Sequence, residues 1–440
     1  MHVCVLGGGV VGVTTAYFLA REGHRVTVVE QHPEAGVETS FANGGQLSYS
    51  YVAPLAGPSA LHHLPAWLLS KTAPLIFRPS LSLSQWTWCM QFLRHCTTDR
   101  SRQTTVEMLL LGAYSKAVMN DVMQDEGIDF DHSKSGKLVV YRDPVEFEGA
   151  KRQMDFQAKF GAEQSALDAK ACVLAEPALS AVGERLAGGI LTPSEDAGDC
   201  YLFTRELGRV AKEKYDVKFL FNNRVHGLVR EHGKVVAVRI DSGELIADSY
   251  VLALGNGSSE LAADVGIRLP MYPLKGYSLT VPVGPTHRAP SMSVTDLHHK
   301  IVYAKLGQHL RVAGMVDMTP PGSKVDAARI ELLRLQAAAT MPNAGDFPDA
   351  QVWTGARPAT PDSKPLLGKT NVSNLLLNTG HGALGFTLAC ASAKLVADTL
   401  CGRSSALDLA PYQLAGRNVR RDYRKLGSPI HRPRCGSIPR

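Results

Sequence analysis

The strongest constraint on what this chain can become lies in its first thirty residues. Val3, Val5 and Leu6 open a buried strand that runs into Gly7-Gly8-Gly9-Val10-Val11-Gly12. Gly7, Gly9 and Gly12 fill the positions of G-x-G-x-x-G, where glycine permits a tight turn, lets backbone approach a pyrophosphate, and seats the helix on the strand. The N-terminus of that helix offers unpaired N–H groups and a positive dipole end to phosphate. Ala16, Phe18, Leu19 and Ala20 continue an apolar helix, Gly23 ends it, and Val26, Val28 and Val29 form a second strand closed by Glu30. A carboxylate there can accept the ribose hydroxyls and disfavours a 2′-phosphate. The glycine motif alone carries little weight, but the complete strand–turn–helix–strand–Glu unit carries much. It predicts a site for FAD or NAD, not NADP, with Val5, Leu6, Gly7, Gly8, Gly9, Val10, Val11, Gly12 and Glu30 as candidate contacts.

Length and composition leave room for a whole enzyme. A chain of 440 residues, 45% hydrophobic and 20% charged, is an ordinary globular sequence long enough for two domains. It contains no uninterrupted apolar run of about eighteen residues, so no spanning helix is expected. The first strand begins almost at Met1, which leaves no space for a presequence and places the expected location on the cytoplasmic side. Eight cysteines without C-x-x-C spacing, and histidines without an H-x-x-x-H cluster, predict reduced thiols and no metal. The net charge of +6 belongs to the C-terminus, since residues 417–440 carry +7 and residues 1–416 about −1. That basic, Pro- and Gly-containing tail is expected to be disordered, either simply solvated or helping attachment to anionic lipid. Nucleic-acid binding is not expected, because no aromatic platform accompanies the charge.

Between these ends the sequence alternates unit types. Glu38-Thr39-Ser40-Phe41-Ala42-Asn43-Gly44-Gly45-Gln46 is rich in small and hydroxyl residues suited to wrapping a cofactor. Residues 61–96 hold Trp67, Trp86 and Trp88, and 81–95 can form a helix with apolar side chains over a wide arc, read either as core or as a monotopic membrane contact. Helices are expected at 103–127, 147–160, 167–175 and 203–214. Strands are expected at 137–141, in hairpins over 217–255 ending in Val251-Leu-Ala-Leu-Gly255, and at 275–283, 300–305 and 310–316. Near the C-terminus, strand 375–378 leads into Thr379-Gly380-His381-Gly382-Ala-Leu384-Gly385 and a helix from about 386 to 400. This second glycine-rich turn before a helix puts a second helix dipole near a bound anion. Nucleotide-type segments bracket other material, so the domains are expected to interleave: 1–58, 188–265 and 351–416 for the nucleotide, 59–187 and 266–350 for the substrate.

These motifs, with Tyr272-Pro-Leu-Lys-Gly-Tyr277, Gly355-x-Arg357-Pro358 and Gly380-His-Gly382, resemble the D-amino acid oxidase superfamily of FAD enzymes. Glu38–Asn43, Tyr272–Ser278 and Asn378–Gly382 are most similar to the bacterial D-amino acid dehydrogenases, and the similarity covers residues 2–416. The resemblance implies a Rossmann-like FAD-binding domain of the GR2 type, interleaved with an α+β substrate domain on a mixed sheet. It extends the cofactor contacts to Thr39, Ser40, Asn43, Gly44, Gln46, Val225, Gly255, Gly380, His381, Gly382, Leu384 and Gly385. It also implies hydride transfer from the Cα of a D-amino acid to flavin N5, hydrolysis of the imino acid to a 2-oxo acid and ammonia, and electron delivery to a quinone. Arg357 occupies the position that binds substrate carboxylate in relatives with Gly-x-Arg-Pro, where a planar fork gives two parallel hydrogen bonds. Tyr49, Tyr51, Tyr277 and Tyr303 are weaker candidates for the pocket wall. Neither His nor Cys falls within Thr39–Gln46, so non-covalent FAD is expected. An O₂-using oxidase of glycine or another amine, a D-hydroxyproline dehydrogenase and a non-enzymatic flavin-binding module are the alternatives.

Overall fold

A computed structural model describes residues 1–58, 60, 61, 72–320 and 325–417. Trp67 and the basic tail beyond Arg417 lie outside the described residues. A six-stranded sheet runs in the order Leu366–Lys369, Leu375–Thr379, Ser249–Leu252, His2–Leu6, Arg25–Val29, Lys218–Leu220. All neighbours are parallel except the first pair. Its central strands are apolar on both faces because both faces are covered. The helix Val10–Arg21, buried almost all round, lies on one face beside helices Gly385–Leu400 and Cys200–Tyr215. A three-stranded antiparallel sheet, Val225–Glu231, Lys234–Ile240 and Gly243–Leu245, covers the other face.

A nine-stranded mixed sheet forms the second unit. Its order is Gln351–Ala359, Tyr272–Pro282, His309–Met318, Ile301–Leu306, Ser293–Asp296, Lys137–Tyr141, Gly188–Thr192, Ser165–Leu167, with Leu75–Phe77 beside His309–Met318. The two units interleave in sequence, but two boundaries differ from expectation. Gly188–Thr192 and Gln351–Ala359, placed with the nucleotide unit by sequence, hydrogen-bond into the nine-stranded sheet. The run 217–255 is hairpin only in its middle, where Val225–Glu231 and Lys234–Ile240 pair antiparallel. Its outer strands join the parallel sheet, because Ser249–Leu252 is buried at every position and needs cover on both faces. Helix Gly385–Leu400, with the turn before it, is long and apolar enough to cross a membrane, yet two thirds of that stretch is buried against helices Val10–Arg21 and Thr98–Glu126. It is a core helix.

Arg417, expected as the start of a solvated tail, is buried. Its guanidinium pairs with Asp362 and donates to the Lys364 carbonyl at 3.0 Å. Lys364 Nζ in turn meets Glu107 at 2.8 Å. Burying a charge is costly unless it is paired, and this paired cluster fixes the end of the described chain to helix Thr98–Glu126.

Candidate active site

A cavity of about 860 Å³ lies between the parallel sheet and the nine-stranded sheet. Its nucleotide end is built as the motif requires. Gly7 sits at φ +107°, and its carbonyl approaches Gly12 so closely that a β-carbon there would collide. Gly9 differs, because an added β-carbon would meet only Ser40 Oγ at 3.5 Å, with cavity beyond. Ser40 Oγ accepts from Val10 N at 3.0 Å and so caps the helix from a neighbouring loop. Glu30 is partly buried, which pushes its carboxyl above the usual range. Gly8 N (2.7 Å) and His32 N (3.0 Å) donate to its two oxygens and oppose that rise. A carboxylate has about four lone-pair sites, so capacity remains for ribose hydroxyls.

Gly7, Gly9, Val10, Val11, Glu30, Thr39, Ser40, Asn43, Gly44, Gln46, Val225, Gly255, Gly380, His381, Gly382, Leu384, Gly385 and Arg357 all line this cavity. Val5, Leu6, Gly8 and Gly12 do not. Val5 and Leu6 pack into cores on opposite faces of the sheet, Gly12 packs on Gly7, and Gly8 serves Glu30. Some side chains on the wall are already engaged. Thr39 donates to the Ala356 carbonyl at 3.1 Å, and Gln46 Nε2 donates to the carbonyls of Val294 and Tyr303, both at 3.2 Å. These two hold the loop in place and leave its backbone to face a ligand. His381 is buried against Ser392 Oγ at 3.0 Å, and burial lowers its pKa to about 3, so it is neutral.

At the other end stands Arg357. It pairs across strands with Leu274, and its guanidinium lies over Gly276, where a β-carbon would collide with both terminal nitrogens. Its one hydrogen bond among the described residues runs from Nη1 to the Met315 carbonyl at 3.2 Å. Its enclosure pulls the pKa below the usual value while the charge of Asp317 opposes this. Asp317 itself is held by Tyr277 Oη at 2.7 Å and Arg329 at 2.8 Å. The guanidinium fork therefore faces the cavity without a paired carboxylate. Beside it, Leu274, Trp88 and Phe92 form an apolar wall, fixed by a 2.8 Å bond from Trp88 Nε1 to the Ala359 carbonyl. The acidic side chains on the cavity wall, Glu30, Glu38, Glu260 and Asp264, belong to the nucleotide side. Of the tyrosines, Tyr51 and Tyr277 line the cavity and Tyr49 and Tyr303 do not. Sequence reading missed Trp88, Phe92, Leu274 and Lys137 as wall residues, since each passes for an ordinary core or strand residue. The described cysteines are free, and no cluster of metal-ligating side chains occurs among the described residues.

One cavity is thus lined by a glycine-turn nucleotide end and by a guanidinium that has no paired carboxylate among the described residues. Residues 2–399 match the family model described as FAD dependent oxidoreductase, and the chain belongs to that family. It is 45% identical over 409 residues to D-amino acid dehydrogenase 2 of Pseudomonas aeruginosa, covering 92% of this chain and 96% of that one. It is 40% identical over 410 residues to D-amino acid dehydrogenase of Bradyrhizobium diazoefficiens, covering 93% and 97%. Among solved structures, glycine oxidase from Geobacillus kaustophilus superposes with a TM-score of 0.72 at 22% identity, covering 94% and 97%. That likeness establishes the fold. FAD fits the cavity, because the space beyond Gly9 is the space a pyrophosphate needs.

Proposed function

We propose that this protein is an FAD-dependent D-amino acid dehydrogenase that converts D-alanine-like substrates to 2-oxo acids and ammonia. The observation that carries this is Arg357, a guanidinium without a paired carboxylate in the cavity that the nucleotide residues also line. The named relatives support the substrate class. FAD, when bound, supplies the two-electron acceptor for the Cα hydride. Arg357 clamps the carboxylate and so orients the Cα–H bond, which is a positioning task. Trp88, Phe92 and Leu274 exclude water and receive an apolar side chain. Among the described residues, the nine-stranded sheet contributes no acidic side chain to the cavity lining, which disfavours cationic substrates. The test is anaerobic flavin absorbance during addition of D- and L-amino acids in turn: bleaching by D-alanine supports the reading, and bleaching by L-forms or glycine alone overturns it.

Electrons from such an enzyme go to a quinone dissolved in a bilayer, so the protein has to reach one. Helix Leu83–His95 supports this reading. Trp88 and Phe92 face inward, while Leu83, Trp86, Met90 and Leu93 are exposed on the outer side at helical spacing. An amphipathic helix of this kind can lie in the interface plane. Peripheral attachment to the inner face of the plasma membrane, assisted by the basic tail, is the location we propose.

A further inference from the structure

Of the further cations on the cavity wall, Lys137, Arg224 and Lys300, Lys137 alone is buried, and the reaction outlined above does not use it. It opens the fully buried strand Lys137–Tyr141 and is itself 2% exposed. Its Nζ donates to Gln46 Oε1 and Ser48 Oγ, each at 2.8 Å, and lies 4.1 Å from the centre of the Tyr51 ring. These acceptors are neutral. The carboxylate whose charge reaches it, Glu195, accepts from the backbone N–H groups of Tyr49 and Ser50 at 2.6 Å each. A buried ammonium held this way is kept at a desolvation penalty, and burial draws its pKa down while the charge of Glu195 opposes this.

Its anchors tie it to a second element of the wall. Gln46 and Ser48 are stitched to the start of helix Gly385–Leu400, because Ser48 N donates to Thr387 Oγ1 at 3.1 Å and Thr387 Oγ1 reaches the Gln46 carbonyl at 3.5 Å. The turn before that helix, Gly382–Gly385, lines the cavity and directs the positive end of the helix dipole there. Two positive features are thereby tied to one segment of the wall.

We propose that Lys137 is a buried positive charge that acts on the bound flavin, favouring its reduced form over its oxidised form. The proposal rests on the FAD reading above. A neutral amino acid amine that yields hydride passes two electrons and one proton. With FAD bound, that hydride would carry one negative charge to the cofactor and leave the substrate as an iminium. Lys137 keeps its proton and opposes the charge that appears, which is electrostatic stabilisation by a group that needs no reorganisation.

The test compares purified wild-type holoenzyme with Lys137→Gln, which is neutral, and Lys137→Arg, which keeps the charge. The readouts are the flavin midpoint potential and the affinity for sulfite, an anion-forming flavin adduct that requires no turnover. The glutamine variant is expected to lower the reduced-to-oxidised ratio at fixed potential, and the sulfite affinity, by about tenfold to a hundredfold. That is the size a unit charge several ångströms away produces at an effective dielectric near 20. The arginine variant should recover most of both. Equal values in all three proteins, or equal losses in both variants, overturn the proposal in favour of a packing role. If the glutamine protein purifies without flavin, it is reconstituted with excess FAD and titrated. Refusal of oxidised FAD also counts against the proposal, because this charge acts chiefly on the reduced form. Wild-type protein that holds no flavin would defeat the FAD reading itself.

Discussion

Gly276 gives the sharpest way to test whether Arg357 works as a positioned fork. Removing the guanidinium with Arg357→Ala leaves a substrate carboxylate unpaired in an enclosed cavity. That loss is worth about 2–5 kcal/mol, or roughly thirtyfold to several thousandfold in kcat/KM. Gly276→Ala attacks the same interaction from beneath. Its backbone angle lies outside the positive-φ region, so alanine is tolerated by the chain itself, but the new β-carbon would collide with Cζ and both terminal nitrogens of Arg357. The whole fork has to lift, and two parallel hydrogen bonds cannot survive that displacement. A kcat/KM loss near the lower end of the range, about thirtyfold, is expected. In the Arg357→Ala background, Gly276→Ala should cost almost nothing further, because the group it displaces is gone. The assay is dye reduction with D-alanine for the four members of the cycle, with bound flavin absorbance confirming that FAD is retained. Equal penalties for Gly276→Ala in both backgrounds would place its effect in strand packing. Near-normal kinetics in Arg357→Ala would move the carboxylate site elsewhere.

The remaining predictions concern cofactor, pH and membrane. Gly9→Leu should leave the melting temperature of apoprotein nearly unchanged, since the added side chain meets open cavity, while abolishing FAD retention; unaltered FAD content would refute the assignment. Acid precipitation of wild-type protein should release the flavin into the supernatant, and flavin remaining with the pellet would establish a covalent bond. His381 and His95 are held near pKa values of about 3 and 4 by burial, below their ordinary 6.5. The unfolded chain therefore takes up protons below pH 6.5 that the folded chain refuses, and stability should fall on acidification from 6.5 towards 4. The loss is at most about 1.4 kcal/mol per pH unit for each group. Urea unfolding of wild type and His381→Gln at pH 7 and pH 5 checks this, with a shallower loss expected in the variant. Sedimentation with anionic vesicles should show salt-sensitive binding by the full chain and weaker, salt-resistant binding by a chain ending at Arg417. Absence of binding at low salt by either would return the outer face of helix Leu83–His95 to an ordinary surface.

What the sequence disclosed follows the range of the interactions involved. The Gly7–Glu30 unit is local, and its strands, helix and glycine turn appear where periodicity placed them. So do strand Lys137–Tyr141 and the helix after Gly385. Strand partnership is not local. Ser249–Leu252 reads like its hairpin neighbours until it is known to lie between His2–Leu6 and Leu375–Thr379. Gln351–Ala359, which carries Arg357, is grouped with the nucleotide unit in sequence, yet its hydrogen bonds run to Tyr272–Pro282. Lys137 was hidden for a related reason. A lysine at the first position of an apolar strand ordinarily marks a solvated strand end, and only the folded chain shows Gln46 and Ser48 waiting for it. Arg417 was misread by composition, because seven further cations follow it while its buried partner, Asp362, lies fifty-five residues earlier.

The interleaved topology ties the integrity of the site to that of the whole fold. Residues His2–Val29 cannot complete a sheet without strands Ser249–Leu252 and Leu375–Thr379, and the second unit supplies the opposite cavity wall from Lys137, Gly276, Met315 and Arg357. Each unit thus lacks a wall until the other has closed, and the polar groups that bridge them, Lys137 on Gln46 and Ser48, and Thr39 on Ala356, form only when both are present. A ligand touching both walls binds the native state and not the unfolded one, so FAD stabilises the whole chain by mass action. Long-range closure is slow to form, and the cofactor favours the one arrangement in which the Arg357 fork and the nucleotide turn share a cavity. Cofactor loading and correct assembly are therefore linked equilibria, in which FAD deepens a folded state that the apoprotein already reaches.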